Sequence, residues 1–205
     1  MWHDAAYFVD AIAERYRLPA LCNTLHIKIL TAPTTSIEQM LSSMRRVYQT
    51  AGIGVQVATR ETLNRTALAT LDNLDVGGCV SSPSAEQTSL YLNQNNVGST
   101  DLVAYFVQSV TQTSPTSKVL NGCATLSKGA VSVAQIASVW TLAHEIGHAL
   151  GLSHISGEKD AMGNCVSQDT TRLMTGCSTS NIIGTPTVSA SEIKTMTSSS
   201  RTLKC

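Results

Sequence analysis

The sequence of 205 residues is poor in charged side chains (14%) and in aromatic side chains (4%). Its 14 basic and 14 acidic residues balance, and no basic stripe could neutralise phosphates, so nucleic acid is not an expected partner. No apolar run approaches the roughly 20 residues that cross a bilayer, so no membrane span is expected. The apolar content of 42% is enough for a buried core in one domain over 1–205.

The first twenty residues lack the pattern of a signal peptide. No basic start precedes an apolar block, and Asp10 and Glu14 interrupt the apolar residues. We predict instead an amphipathic helix over 1–20, whose apolar side would carry Phe8, Val9, Ile12, Ala13 and Tyr16.

The cysteines form no C-x-x-C pair, so a zinc site made of cysteines alone is not expected. Six cysteines are nevertheless many for a reducing compartment, and their even number predicts two or more disulfides in a secreted protein. We expect this protein to be a monomer. Among the 15 pairings that six cysteines permit, Cys165 with Cys177 is favoured because a short loop separates them. The other four are Cys22, Cys79, Cys123 and Cys205.

Apolar periodicity predicts an α/β chain. A strand is expected over 25–31, then a helix that starts at Ser36 and ends before Gly52, and then a strand around Val55. This order implies two parallel strands joined by a right-handed crossover, whereas residues 62–82 are expected to be irregular. The later predicted elements are a helix over 83–94, a strand over 101–109, short strands over 122–127 and 130–135, a helix over 138–150, and a last helix that starts at Ser189 with Glu192 completing a capping box.

One segment of eleven residues contains a set of side chains typical of a catalytic metal site. His144 and His148 are four residues apart, so a helix presents both on one face, one turn apart. Gly151 allows the helix to end in a left-handed turn, and His154 can then approach the same point from outside the helix. Three neutral imidazoles that leave one position for water are the ligand set of a catalytic zinc ion, so one Zn²⁺ is the expected cofactor.

Glu145 follows the first of these histidines and is predicted to be the catalytic base. A carboxylate beside the open metal position can accept a proton from water and pass it to the leaving amine. A helix whose histidines only pack is a weaker alternative, because a chance match of all five positions is expected on the order of 10⁻⁵ times in this chain. A structural zinc is a second alternative, which would require a fourth protein ligand, and no cysteine lies close in sequence to supply it.

The string HEIGHALGLSH over 144–154 resembles the long zinc motif of the metzincin peptidases. Members of that family also have a methionine turn after the third ligand, and Met174 within RLMTGC follows His154 in this way. The resemblance implies that Met174 packs beneath the zinc ligands as an apolar floor, with Met162 as the rival position. It also implies a zinc-dependent endopeptidase that acts on protein or peptide substrates.

The resemblance further implies a twisted mixed sheet with an antiparallel edge strand, two long helices, and a small C-terminal part that ends in a helix. We therefore expect an upper part over 21–154 with the active-site helix, and a lower part over 155–205 with the methionine turn. Segment 122–135 would border the cleft, where an extended substrate adds as a further strand. Residues 178–188 would form a pocket wall, with Asn181, Ile182, Ile183 and Pro186 as candidates.

The subfamily and two other functions stay open. Ile155 follows the third ligand, a position where the metzincin subfamilies carry other residues, so both an adamalysin-like and a matrixin-like assignment remain. A binding module or toxin that acts by recognition, and a zinc hydrolase of non-peptide amides, are the alternative functions. His3 and His26 are predicted to be structural or surface residues, and the spacing of Asp160, Asn164 and Asp169 matches no calcium loop.

Overall fold

The computed structural model describes residues 19–79, 82–115, 117–125, 129–155, 165 and 169–205. Pro19 and Ala20, which belong to the helix predicted over 1–20, precede a strand and are not helical. The rest of that prediction lies outside the described residues, as do His3, Asp160, Met162 and Asn164.

Nine strands in these ranges form two sheets. They are β1 (Leu21–Ile29), β2 (Ile53–Thr62), β3 (Asn73–Asp75), β4 (Leu102–Val107), β5 (Ser109–Gln112), β6 (Lys118–Leu120), β7 (Gly122–Thr125), β8 (Ala130–Ala134) and β9 (Leu203–Lys204). The main sheet has the order β2-β1-β4-β8-β7, and β9 pairs with β1. The pairs β1–β2, β1–β4 and β4–β8 are parallel, whereas β7 is antiparallel to β8. The prediction of a mixed α/β fold with an antiparallel edge strand is therefore confirmed.

Four helices are described, namely α1 (Ile37–Thr50), α2 (Ala85–Tyr91), α3 (Thr141–Ala149) and α4 (Ala190–Thr197). Three of them begin with a capping box, in which a serine and a side chain three residues later each bond the other residue's backbone N–H. The capping box predicted at Ser189 and Glu192 is one of them. These caps explain why α1, α2 and α4 start where they do.

α3 is shorter than the helix predicted over 138–150. The Thr141 N–H donates to the Ser138 carbonyl at 3.1 Å, and the Ser138 N–H donates to the Thr141 hydroxyl at 3.0 Å. This turn delays the start of the helix to Thr141, and the turn at Gly151 ends it. Of the two long helices that were expected, α1 has 14 residues and α3 has nine.

The second sheet, with the order β3-β5-β6, is missing from the prediction. The expectation that 62–82 is irregular is wrong at β3, and the strand predicted over 101–109 is divided into β4 and β5. Asp72 explains the division, because its carboxylate accepts the Gln108 N–H at 2.9 Å and its carbonyl accepts the Ser109 N–H at 3.1 Å. These bonds draw the chain out of the main sheet, and β5 pairs with β3 instead.

The main sheet is buried on both faces. In β4, alternate side chains enter two apolar cores, because successive residues of a strand point to opposite faces. The first core contains α1 and α3, and there the Tyr48 hydroxyl of α1 donates to the Ala143 carbonyl of α3 at 2.9 Å. The second core contains the second sheet and α2. α3 is therefore held by both the sheet and α1.

All six cysteines are paired. Cys165 bonds Cys177, the pairing that the short loop favours, and Cys79 bonds Cys123 across 44 positions of sequence. The third disulfide joins Cys22 of β1 to Cys205, next to the pairing of β9 with β1. Among the described helices, none combines the length and the apolar composition of a membrane span.

Candidate active site

α3 presents His144 and His148 on one face, and two main-chain carbonyls orient their rings. Nδ1 of His144 donates to the Leu173 carbonyl at 2.7 Å, and Nδ1 of His148 donates to the Leu152 carbonyl at 2.7 Å. In a neutral imidazole, a protonated Nδ1 leaves a lone pair on Nε2. Both rings therefore offer Nε2 as a metal ligand, and the carbonyls fix the tautomer.

The turn at the end of α3 brings the third histidine back to the other two. Gly151 has φ +101°, in the left-handed region that favours glycine. The Gly151 N–H donates to the His148 carbonyl at 2.9 Å, and the Leu152 N–H donates to the Gly147 carbonyl at 3.0 Å. These two bonds define a Schellman motif. The chain reverses at this motif, and His154 follows two residues after Leu152.

The three Nε2 atoms form a nearly equilateral triangle. The distances are 3.2 Å between His144 and His154, 3.2 Å between His144 and His148, and 3.0 Å between His148 and His154. A tetrahedral ion with bonds of about 2.0–2.1 Å requires its nitrogen ligands to be about 3.3 Å apart. Lone pairs at such short separation repel unless a cation lies between them, so the donor set fits zinc.

Glu145 lines the same cleft as the three histidines. The residue is 6% exposed, and burial raises the pKa of its carboxyl group to about 8, because a charge removed from water is unfavourable. A cation on the neighbouring histidines favours the ionised carboxylate and opposes this rise. The carboxyl group can therefore exchange a proton near neutral pH.

Met174 is fully buried and packs against α3 at Gly147, the residue before His148. A Cβ atom placed on Gly147 would lie only 2.8 Å from its Sδ atom, so the sulfur packs directly on the helix backbone. The Met174 carbonyl accepts the Ile155 N–H at 3.0 Å, immediately after His154. The methionine segment therefore contacts both the helix and the segment that carries the third histidine.

A cleft of about 640 Å³ opens beside the site. The residues that line it include two segments of the chain, namely β6 with Asn121, Gly122 and Ala124, and residues 175–179. The side chain of Asn121 connects these two segments, because its amide nitrogen lies within hydrogen-bond distance of the hydroxyl groups of Ser178 (3.3 Å), Thr179 (3.2 Å) and Ser180 (3.0 Å) and can donate to two of them at once.

The predicted wall over 178–188 contributes only its first residues to this cleft. Ser178 and Thr179 line it, whereas the candidates Asn181, Ile182, Ile183 and Pro186 are not among the described residues that do. Sequence reasoning missed β6, because a strand of three residues carries no periodic signal. It also missed Gly122, for which an isolated glycine in a strand pattern is a usable signal of close backbone approach.

The other singled-out residues take structural positions. His26 is buried, with Nδ1 2.7 Å from the Thr59 hydroxyl and Nε2 3.0 Å from the Asp101 carboxylate. Asp169 accepts the Thr171 N–H at 2.8 Å. His26 thus has the structural position that was predicted for it.

The three histidine nitrogens and the buried Glu145 carboxyl group lie in one cleft, an arrangement that suits hydrolysis at a bound metal ion. The chain matches the model of Metallo-peptidase family M12 over residues 23–202, and it belongs to that family. It is therefore a metallopeptidase, a hydrolase of peptide bonds, and the predicted relation to the metzincins is confirmed.

Solved structures show the same fold at low identity. An archaemetzincin from Methanopyrus kandleri is similar at 14% identity and a TM-score of 0.53, over 85% of this chain and 93% of that one. An archaemetzincin from Archaeoglobus fulgidus is similar at 14% identity and a TM-score of 0.50, over 84% and 99%. Metalloproteinase-II from Bacteroides fragilis is similar at 16% identity and a TM-score of 0.55, over 87% of this chain and 53% of that one. No curated protein matches the chain.

Proposed function

We propose that the chain is a zinc-dependent endopeptidase that cuts protein substrates at one zinc ion held by His144, His148 and His154. The observation that carries this proposal is the triangle of Nε2 atoms, 3.0–3.2 Å apart, beside the Glu145 carboxylate in an open cleft. The alternative zinc hydrolase of non-peptide amides has no observation in its favour.

The ligand set supports a catalytic ion over a structural one. Structural zinc takes four protein ligands, whereas catalytic zinc keeps one position for water. In the described part of the chain, the cluster of potential ligands consists of the three histidines. When bound there, zinc supplies Lewis acidity, which lowers the pKa of water and stabilises negative charge on the scissile carbonyl oxygen.

Glu145 carries the proton transfers in this proposal. Its carboxylate accepts, on an Oε atom, one proton of the water that attacks the scissile carbonyl carbon. The same group then donates that proton to the amine nitrogen as the C–N bond breaks. The water is thus divided between the two products, with its hydroxyl group on the carbonyl carbon and its other hydrogen on the nitrogen.

β7 would hold the substrate. It is the terminal strand of the main sheet in the described residues, and Gly122 and Ala124 face the cleft. An extended peptide can pair with such an edge through main-chain hydrogen bonds, which depend little on sequence. Binding along a strand on both sides of the scissile bond is the mode that an endopeptidase needs.

The three disulfides support an extracellular location for the enzyme. Such bonds persist in oxidising compartments and are rare in the reducing cytosol of mesophiles. We further propose that it acts as a monomer, because the ligands and the base all come from one chain.

A peptide with both ends blocked and an internal fluorophore–quencher pair tests the proposal, since an exopeptidase cannot cut it. We expect cleavage that a chelator abolishes and that one equivalent of zinc restores. Glu145→Ala should lower kcat by about three or more orders of magnitude, yet retain one zinc per chain by metal analysis. Glu38→Ala is the matched control, because Glu38 is an exposed glutamate that pairs with Arg60.

Two results would overturn the proposal. Full activity of Glu145→Ala would remove its catalytic role. Absence of cleavage by the zinc-loaded wild type, across blocked peptides and a denatured protein substrate, would favour a protein that acts by recognition alone.

A further inference from the structure

Gly122 occupies a place in β7 where backbone conformation does not require glycine. It lies in a regular antiparallel pair with Val133 of β8, and its φ is not in the left-handed region. Any L-residue can adopt such an extended conformation. The reason for glycine must therefore be sought in the space around its Cα atom.

That space is filled by the side chain of Glu145. A Cβ atom on residue 122 would lie 2.8 Å from Cγ and 2.9 Å from Oε1 of Glu145, and 2.9 Å from the Ser132 carbonyl oxygen. Non-bonded carbon atoms rest about 3.5–4.0 Å apart. The glutamate therefore lies directly on the strand backbone, in the volume that a methyl group would take.

Two groups limit that volume, the Glu145 side chain and the Ser132 carbonyl, and only the side chain can move by rotation about its own bonds. The Ser132 carbonyl belongs to the main chain of β8, which lies between β4 and β7. β7 cannot easily retreat, since Cys123 is bonded to Cys79 and Asn121 is tied to Ser178. A side chain at position 122 would therefore displace the Glu145 carboxyl group.

We propose that Gly122 is a positioning residue, whose missing side chain forms the seat that holds the Glu145 carboxylate at the cleft. The strand that borders the cleft then also sets the place of the base. A substrate that pairs with β7 and the carboxylate that acts on it are located by the same backbone. The catalytic part of this inference rests on the proposed function, whereas the packing of Glu145 on Gly122 does not.

Kinetics of Gly122→Ala test the catalytic part. Displacing a catalytic group by about 1 Å can cost on the order of 100-fold in rate. We expect kcat on the blocked peptide to fall about 10- to 100-fold, with KM changed less than about threefold and the zinc Kd unchanged, because no ligand is touched. A purely structural defect would instead lower the folded fraction.

A double-mutant cycle on the metal-free full chain tests the packing independently of activity. Urea unfolding is measured for wild type, Gly122→Ala, Glu145→Ala and the double variant. We expect Gly122→Ala to lower the urea midpoint clearly in the wild-type background and much less in the Glu145→Ala background. The loss of midpoint that remains in the Glu145→Ala background measures the clash of the new methyl group with the Ser132 carbonyl.

Gly129→Ala is the control for loss of stability. A Cβ atom there would overlap the Arg201 guanidinium group, and Gly129 has φ +60°, so the substitution strains the fold without touching the cleft lining. It should lower the urea midpoint but leave kcat per folded molecule unchanged.

The outcomes separate this inference from the proposed function. If wild type lacks peptidase activity, the proposed function fails, yet coupling in the unfolding cycle still supports the seat. The inference that Gly122 positions Glu145 is overturned if kcat is unchanged in Gly122→Ala, or if Gly122→Ala lowers the urea midpoint equally in both backgrounds. If Gly122→Ala folds only together with Glu145→Ala, the seat is supported. If it folds in neither background, the Ser132 carbonyl and not Glu145 excludes the side chain, and the inference is overturned.

Discussion

Replacing Gly151 by alanine should weaken zinc binding, although residue 151 is not a ligand. Its φ of +101° is strained for any residue with a Cβ atom, and that atom would also lie 3.3 Å from Cγ2 of Thr195. Backbone strain of this kind costs about 1–3 kcal/mol. The chain can relieve it by opening the turn after α3, which moves His154 away from His144 and His148.

The magnitude follows from linkage between the turn and the ion. If the relaxed turn separates the ligands, zinc must restore the strained turn when it binds, and its binding free energy is reduced by the strain. A reduction of about 1–3 kcal/mol corresponds to a zinc Kd raised about 5- to 150-fold. The assay is a competition titration of the metal-free protein against a chromophoric chelator.

Gly52→Ala is a matched control for this substitution. Gly52 follows the end of α1 with φ +71°, and among the described residues nothing lies within 4 Å of the place its Cβ would take. We expect a comparable loss of thermal stability with no change in zinc Kd, since α1 carries no ligand. A Gly151→Ala protein that binds zinc as tightly as wild type would refute the reasoning, and so would an equal loss of affinity in Gly52→Ala.

The remaining predictions concern stability. Met174→Ala should destabilise the metal-free chain by about 2–5 kcal/mol in urea unfolding, because it leaves a cavity under α3, whereas Met174→Leu should cost less than about 1.5 kcal/mol. Loop entropy predicts that a disulfide stabilises the fold more when it closes a longer loop. The separation is 183 residues for Cys22–Cys205 and 12 for Cys165–Cys177. Paired serine substitutions should cost about 5 kcal/mol for the first and about 3 kcal/mol for the second; the opposite order in denaturant titrations would contradict this account.

The histidine cluster could be predicted because its determinants are local in sequence. A spacing of four residues on a helix, one glycine and a third histidine bring three imidazole rings together within a single segment, 144–154. The capping boxes of α1 and α4 are local in the same way, as Ser189 and Glu192 show. Such features need no knowledge of distant parts of the chain.

Features that depend on contacts between distant parts of the sequence could not be predicted. The division between β4 and β5 is made by Asp72, which lies 36 positions before Gln108. The partner of Cys22 lies 183 positions away, and no spacing rule selects it among the possible pairings. The contact between Gly122 and Glu145 likewise depends on how β7 crosses α3, which periodicity does not describe.

The Cys79–Cys123 disulfide links the geometry of the cleft to the redox conditions around the protein. Cys123 follows Gly122 in β7, so a bond that forms only under oxidising conditions anchors the strand beside the cleft. Under reducing conditions all three histidines of the cluster are still present, but β7 lacks the disulfide that holds it beside the cleft. Reduction of this one bond would therefore act on the strand that contacts Glu145, and not on the three histidines.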